Sequence, residues 1–285
     1  MNGVHLYFDV ENSGLLAEGG RMRELPVLLL LHGGPGHDHS SFKPEFAALA
    51  DVAQVVYLDL RGNGRSEAGE PSDWNLARWA SDVREFCGLL SIERPIVLGQ
   101  SFGGEVALKL ASAYPDVPGK LILLSVTARL RLDRSLGVFE RIGGPRVRDI
   151  AARYWGDASS EAHARYYAEC LPLYTTQPLD PDVRARAIVR ENVARHYNGG
   201  EAVTINLLPE LGNVRARTLI LAGTDDPITT FEDAQDIVAA IPPGLARLHR
   251  LEGARHGPVR ERPREALEAI RQFIQEADPH ADAAV

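Results

Sequence analysis

The sequence is poor in cysteine, in basic runs and in long apolar stretches. Two cysteines, Cys87 and Cys170, stand in 285 residues. That is too few for a disulfide framework, and no Cys/His cluster has the spacing of a zinc site. Two reduced, partly buried thiols are expected. Lys and Arg number 31 against 39 Asp and Glu, a formal net charge of -8. A nucleic-acid partner needs a basic patch, and no run of like charge suggests an interaction tail. The longest strictly aliphatic run is Val27 to Leu31, against the ~20 residues of a membrane span. The first residues, Met1-Asn2-Gly3-Val4-His5, lack the basic and then apolar pattern of a signal peptide. These absences predict a cytoplasmic protein that works without nucleic acid or membrane. His32, His37 and His39 crowd one Gly/Pro loop and the other histidines are scattered, so neither metal nor cofactor is expected.

What remains is an ordinary globular composition, 45% hydrophobic and 25% charged, in a chain long enough to bury a core without staples. Short apolar runs recur at Val4 to Val10, Pro26 to Leu31, Val52 to Leu60, Ile96 to Leu98, Leu121 to Leu124, Thr218 to Ala222 and Ala246 to Leu251. Several end in Gly-rich punctuation, the pattern of strands buried on both faces of a parallel sheet. Between them, Trp79 to Leu90, Glu105 to Tyr114 and Pro263 to Gln275 carry helical periodicity. Alternating strands and helices predict an α/β fold with a mostly parallel sheet flanked by helices. From 127 to 209 no strand pattern appears. That segment reads as a helical insertion broken at Gly143-Gly144-Pro145, Leu171-Pro172 and Asn198-Gly199-Gly200. The expected organisation is a core of 1–126 and 210–277, an inserted 127–209, and a frayed tail at 278–285. The stretch Arg129 to Arg153 holds seven Arg against three acids. It reads as a solvated helix face, or else as a weak preference for an anionic substrate group.

Gly99-Gln100-Ser101-Phe102-Gly103 is G-x-S-x-G between a strand and a helix, the setting of a nucleophile elbow. The turn is so sharp that the serine backbone must be strained, and the flanking glycines keep side chains from colliding. Ser101 needs a base, and the base an orienting acid, in the chain order Ser, Asp or Glu, His. His256, in the loop after the strand Ala246 to Leu251, is the expected general base. His163 and His196 lie in the insertion, His249 in a strand and His280 in the tail. Gly223-Thr224-Asp225-Asp226-Pro227 follows the preceding strand. Spacing favours Asp226 as the acid, with Asp225 the alternative. His32-Gly33-Gly34-Pro35-Gly36 ends an earlier strand, and the N–H groups of Gly34 and Phe102 are the expected oxyanion hole.

Together these residues resemble the α/β-hydrolase superfamily over nearly the whole chain. The combination of H-G-G-P-G at 32–36 with D-L-R-G-N-G-R-S at 59–66 looks most like the proline iminopeptidase branch. The resemblance implies an α/β-hydrolase fold with a helical cap at 127–209. It also implies a cofactor-free serine hydrolase acting on a small-molecule or short-peptide substrate. Acids from the cap would hold the substrate's α-ammonium. Glu201 looks like the match, Glu191 is an alternative, and Glu105 could contribute if it faces the pocket. Some members carry a second acid directly after the catalytic Asp; here that position is Pro227. An ester or lactone hydrolase without aminopeptidase activity is the competing expectation, and a non-catalytic binding protein on the same scaffold a further one. A serine at the elbow disfavours epoxide-hydrolase and dehalogenase chemistry, which uses a carboxylate there.

Overall fold

The computed structural model describes residues 2–156, 159–178 and 180–277; the expected frayed tail and His280 lie outside them. The strands are β1 (Phe8–Val10), β2 (Leu15–Glu18), β3 (Arg21–Glu24), β4 (Val27–Leu31), β5 (Gln54–Leu58), β6 (Ile96–Gln100), β7 (Lys120–Leu124), β8 (Arg217–Gly223) and β9 (Ala246–Leu251). Seven of them form one sheet in the order β1-β5-β4-β6-β7-β8-β9. Only β1 runs antiparallel to its neighbour.

The apolar runs are explained by double-sided burial. In β4, Leu29 and Leu31 pack with Val56, Leu58 and helices α1 (Leu76–Leu89) and α2 (Phe102–Ala113). Leu28 and Leu30 face Val55, Tyr57, Phe42 and Phe273 on the opposite side. All four leucines have no exposed surface, and burying each contributes ~1.5–3 kcal/mol.

Element ends differ from the sequence reading for local reasons. β1 begins at Phe8 rather than Val4, because Tyr7 N–H is taken by the Ser66 hydroxyl and the His5 carbonyl by Glu67 N–H. α1 begins before Trp79 because the Asn75 side chain accepts from Arg78 N–H and caps it. α2 starts at Phe102, straight after the elbow, three residues earlier than the pattern suggested. The hairpin of β2 and β3, turned at Gly19-Gly20, is absent from the sequence reading. Its side chains are mostly exposed, so it carries little periodicity.

Between β7 and β8 lie α3 (Leu132–Gly143), α4 (Pro145–Gly156), α5 (Ser160–Glu169), a 3-10 turn at Leu171–Tyr174, α6 (Pro181–Arg186) and α7 (Glu191–Asn198). The ends of this segment meet, through a bridge of Arg129 with Asn206 and a bond from Leu207 N–H to Ala128 O. Phe139, Ile150, Ala151, Tyr166 and Cys170 form a small core of its own. In contrast, Val193 and Tyr197 of α7 join the main core of the sheet. The arginines of the first helices are engaged by acids: Arg134 with Asp233 and Asp236, and Arg141 with Asp225. The chain closes with α8 (Phe231–Ala240), α9 (Pro258–Glu261) and α10 (Pro263–Gln275). Cys87 and Cys170 are free and buried, and burial pushes both thiols up to about 11. Among the described residues no helix is long and apolar enough to cross a membrane, and no cluster of His, Cys, Asp and Glu could hold a metal ion.

Candidate active site

Ser101 links β6 to α2 at φ 51, ψ -120. A non-glycine residue held there stores on the order of 1–3 kcal/mol. The glycines around it are sterically required. A Cβ at Gly99 would strike the backbone of Gly103, and one at Gly103 would strike the carbonyls of Leu31 and His32. The elbow therefore wedges α2 directly against the end of β4. Ser101 N–H donates to Leu124 O at 2.9 Å, tying the elbow to the end of β7.

The loops after β8 and β9 bring two distant side chains to this serine. His256 Nε2 lies 3.0 Å from Ser101 Oγ, and His256 Nδ1 lies 2.9 Å from Asp226 Oδ2. Asp226 has no exposed surface. Its Oδ1 accepts Ile228 N–H at 2.8 Å and Thr229 N–H at 3.0 Å, and its Oδ2 accepts the Thr229 hydroxyl at 2.7 Å. Burial alone would raise its pKa; the charge and hydrogen bonds of His256, with those from Thr229 and Ile228, reverse this and hold the carboxyl below its ordinary value. Burial likewise works against a charged His256, but the Asp226 carboxylate prevails and raises the imidazole above 6.5. Asp225 points elsewhere, to Arg141 of α3. Of the other histidines in the sequence reading, His163 bonds Ser159 O, His196 packs on Trp74 and His249 pairs with Glu265.

The 32–36 loop passes beside the elbow, since a Cβ on Gly33 would lie 3.6 Å from Ser101 Cβ. Gly34 takes φ 130, a value side-chain-bearing residues rarely adopt. Phe102 N–H opens α2 and has no acceptor within its own helix. The D-L-R-G-N-G-R-S segment is almost wholly buried and holds this loop. Asn63 Oδ1 accepts Gly36 N–H at 2.6 Å, and Asp59 accepts both His39 N–H and Arg65 N–H. Arg61 forms a two-pronged pair with Asp82 at 2.7 and 2.9 Å. His32 Nε2 accepts Leu60 N–H at 3.1 Å while its Nδ1 donates to Gly33 O at 2.8 Å. Burial keeps that ring neutral. The sequence flagged these residues only as a motif; their role as a brace is visible from the structure.

The three candidate substrate acids separate. Glu191 lies on the surface and pairs with Arg195 at 3.6 Å. Glu105 lies one helical turn along α2 from Ser101, and Glu201 is near enough for its charge to act on Glu105. Glu105 accepts the Tyr197 hydroxyl at 2.8 Å, and Glu201 accepts Leu76 N–H, the start of α1, at 2.8 Å. Burial, reinforced by the Glu201 charge, pushes Glu105 up to about 8. Tyr197 packs edgewise on Trp79 and Phe102.

The chain matches the model of the alpha/beta hydrolase fold over residues 26–263. It belongs to the α/β-hydrolase family. Among solved structures, this chain resembles the proline iminopeptidase of Mycobacterium smegmatis, with 23% identity, TM-score 0.77 and coverage of 99% of this chain and 98% of that one. It also resembles a thermophilic esterase from Thermogutta terrifontis, with 26% identity, TM-score 0.65 and coverage of 95% and 93%. Mouse Epoxide hydrolase 4 is 32% identical over 134 residues, 43% of this chain and 35% of that protein. The chain spans about a third of the length of the curated relatives with which it shares 31–35% identity.

Proposed function

We propose that this protein is a serine hydrolase that cleaves an acyl bond of a small substrate through Ser101, His256 and Asp226. The observation that carries the reading is the continuous hydrogen-bonded line from Ser101 Oγ through the imidazole to the buried Asp226 carboxylate. His256 Nε2 takes the serine proton as Oγ attacks the carbonyl carbon. The N–H groups of Gly34 and Phe102 receive the developing oxyanion, each such donor contributing on the order of 2.7–4 kcal/mol. The imidazolium then protonates the leaving amine or alcohol. A water, deprotonated by the same nitrogen, clears the acyl-enzyme. Asp226 fixes the tautomer, so that Nδ1 carries the proton and Nε2 is free to act.

The helices of 127–209 form the cap of this reading, and Glu105 with Glu201 form its amine subsite, as in an iminopeptidase. Glu105 is raised first by burial and further by the Glu201 charge, and a cation seated beside it would relieve the second of these. Two observations favour the competing reading, an ester or lactone hydrolase. Pro227 stands directly after Asp226, and Glu201 is already committed to the start of α1.

The test is turnover of an L-proline arylamide beside a short-chain aryl ester, with Ser101→Ala as control. Amide cleavage that requires a free N-terminal amine, lost in Ser101→Ala and weakened in KM by Glu201→Gln, supports the iminopeptidase reading. Ester cleavage alone, lost in Ser101→Ala, establishes the acyl hydrolase and removes the peptidase. Undiminished turnover in Ser101→Ala overturns the serine mechanism itself.

A further inference from the structure

His256 is not held by its own loop alone. The two residues flanking it, Arg255 and Gly257, turn their N–H groups onto a single carboxylate, that of Glu261 in α9. Arg255 N lies 3.2 Å from both Glu261 oxygens, and Gly257 N lies 3.2 Å from Oε1. The same carboxylate reaches the inserted helices. Its Oε2 accepts Thr176 N–H at 3.1 Å and the Thr176 hydroxyl at 2.6 Å. Two more links join these segments. His256 N–H donates to Tyr174 O at 2.9 Å, and Arg255 Nη1 donates to the carbonyls of Leu173 and Thr175. The Tyr174 ring stands edgewise to the imidazole at 5.7 Å. Glu261 is 8% exposed, so its carboxylate is held by donors from two segments about 80 residues apart and by little solvent.

We propose that Glu261 is a positioning residue for His256, clamping the histidine loop to the 171–176 turn so that the imidazole is registered on Ser101 while the inserted helices are docked. The proposal rests on His256 being the base of the reaction. It makes one carboxylate the point where the placement of the cap segment and the placement of the base are joined. A base displaced by ~1 Å can lose on the order of 100-fold in rate, so a clamp of this kind acts on kcat and not on ground-state binding. The groups facing His256 are Asp226 from the loop after β8, Glu261 from α9, Tyr174 from the 3-10 turn, Ser101 from the elbow, and Arg255 beside it. Of these, Asp226 and Glu261 add negative charge that favours the imidazolium.

The experiment compares Glu261→Gln, Thr176→Val and the parent protein on p-nitrophenyl butyrate across pH 5 to 9. Glu261→Gln keeps the shape and one acceptor but loses the charge. It should lower kcat by about 10- to 100-fold with KM within about twofold. Its acid limb should move to lower pH, because one of the two anions favouring protonated His256 is gone. Thr176→Val removes one hydroxyl donor and leaves the charge. It should lower kcat by a smaller factor with the acid limb unmoved. Parent kcat and an unmoved limb in Glu261→Gln would falsify the proposal. So would a loss confined to KM, or a loss of kcat in which Glu261→Gln and Thr176→Val share one unshifted pH profile, since that describes mere loosening of the fold. Ser101→Ala in the same assay separates the premise from the proposal: retained turnover there removes the triad reading whatever Glu261 does.

Discussion

The two walls around Ser101 are fixed by different parts of the molecule. The wall carrying Gly34 is braced from within the α/β core. Asn63, His32, Asp59 and the buried Arg61–Asp82 pair hold it through segments of the core itself. The wall carrying His256 is braced from outside, by Tyr174, Thr176 and the carbonyls beside them in the inserted helices, gathered by Glu261. One side of the site is therefore held mainly by the α/β core, and the other by the core and the insertion together. The separation is not total, since Arg190 in the insertion donates its N–H to Gly36 O at 2.7 Å.

The largest effect belongs to neither wall. Asp226→Asn, which preserves shape while favouring the wrong imidazole tautomer, should lower kcat by on the order of 10⁴, measured with an aryl ester. The inner wall breaks next. Asp82→Ala leaves the Arg61 guanidinium buried, 1% exposed, without its two-pronged partner. The cost should be about 3–5 kcal/mol in a urea titration. Asn63→Ala is a gentler test of the same wall. Gly36 N–H loses its acceptor, and stability should fall by about 1–3 kcal/mol in the same titration, with a drop in kcat beside it. The smallest change sharpens the outer wall. Because the Asp226 charge overcomes burial and raises His256, the base is neutralised by protons as pH falls through a value above 6.5. The acid limb of kcat should lie above pH 6.5, with full activity above it. A limb at or below that pH means that desolvation prevails over the Asp226 charge.

The same contrast explains what could be read from the sequence. Ser101, Asp226 and His256 each follow a strand whose apolar run and Gly-rich end are local signals, and the structure brings all three side chains into one line. Asp225 and Asp226 share the same loop, so local pattern could rank them but not separate them. What separates them is Arg141, 84 residues away, which takes Asp225. Glu261 gave no signal at all. It is one acid among many in a helical stretch, and its meaning comes from Thr176, 85 residues earlier. The hairpin of β2 and β3 escaped because exposed strands have no buried face to impose alternation. The Arg-rich stretch held two readings open in sequence; in the fold, Arg134 and Arg141 are occupied by acids around the β8–α8 connection.

The meeting of Ala128 with Leu207 and of Arg129 with Asn206 bears on how separable the inserted segment is. Joined ends mark a segment that a recombination event could exchange without stretching the sheet. Yet the exchanged piece here carries Val193 and Tyr197 of the main core, the partner of Gly36, and the donors that seat the histidine loop. A graft from another hydrolase would close geometrically and arrive without those contacts. Exchange of the segment would therefore disturb the sheet core and the loops of Gly36 and His256 together.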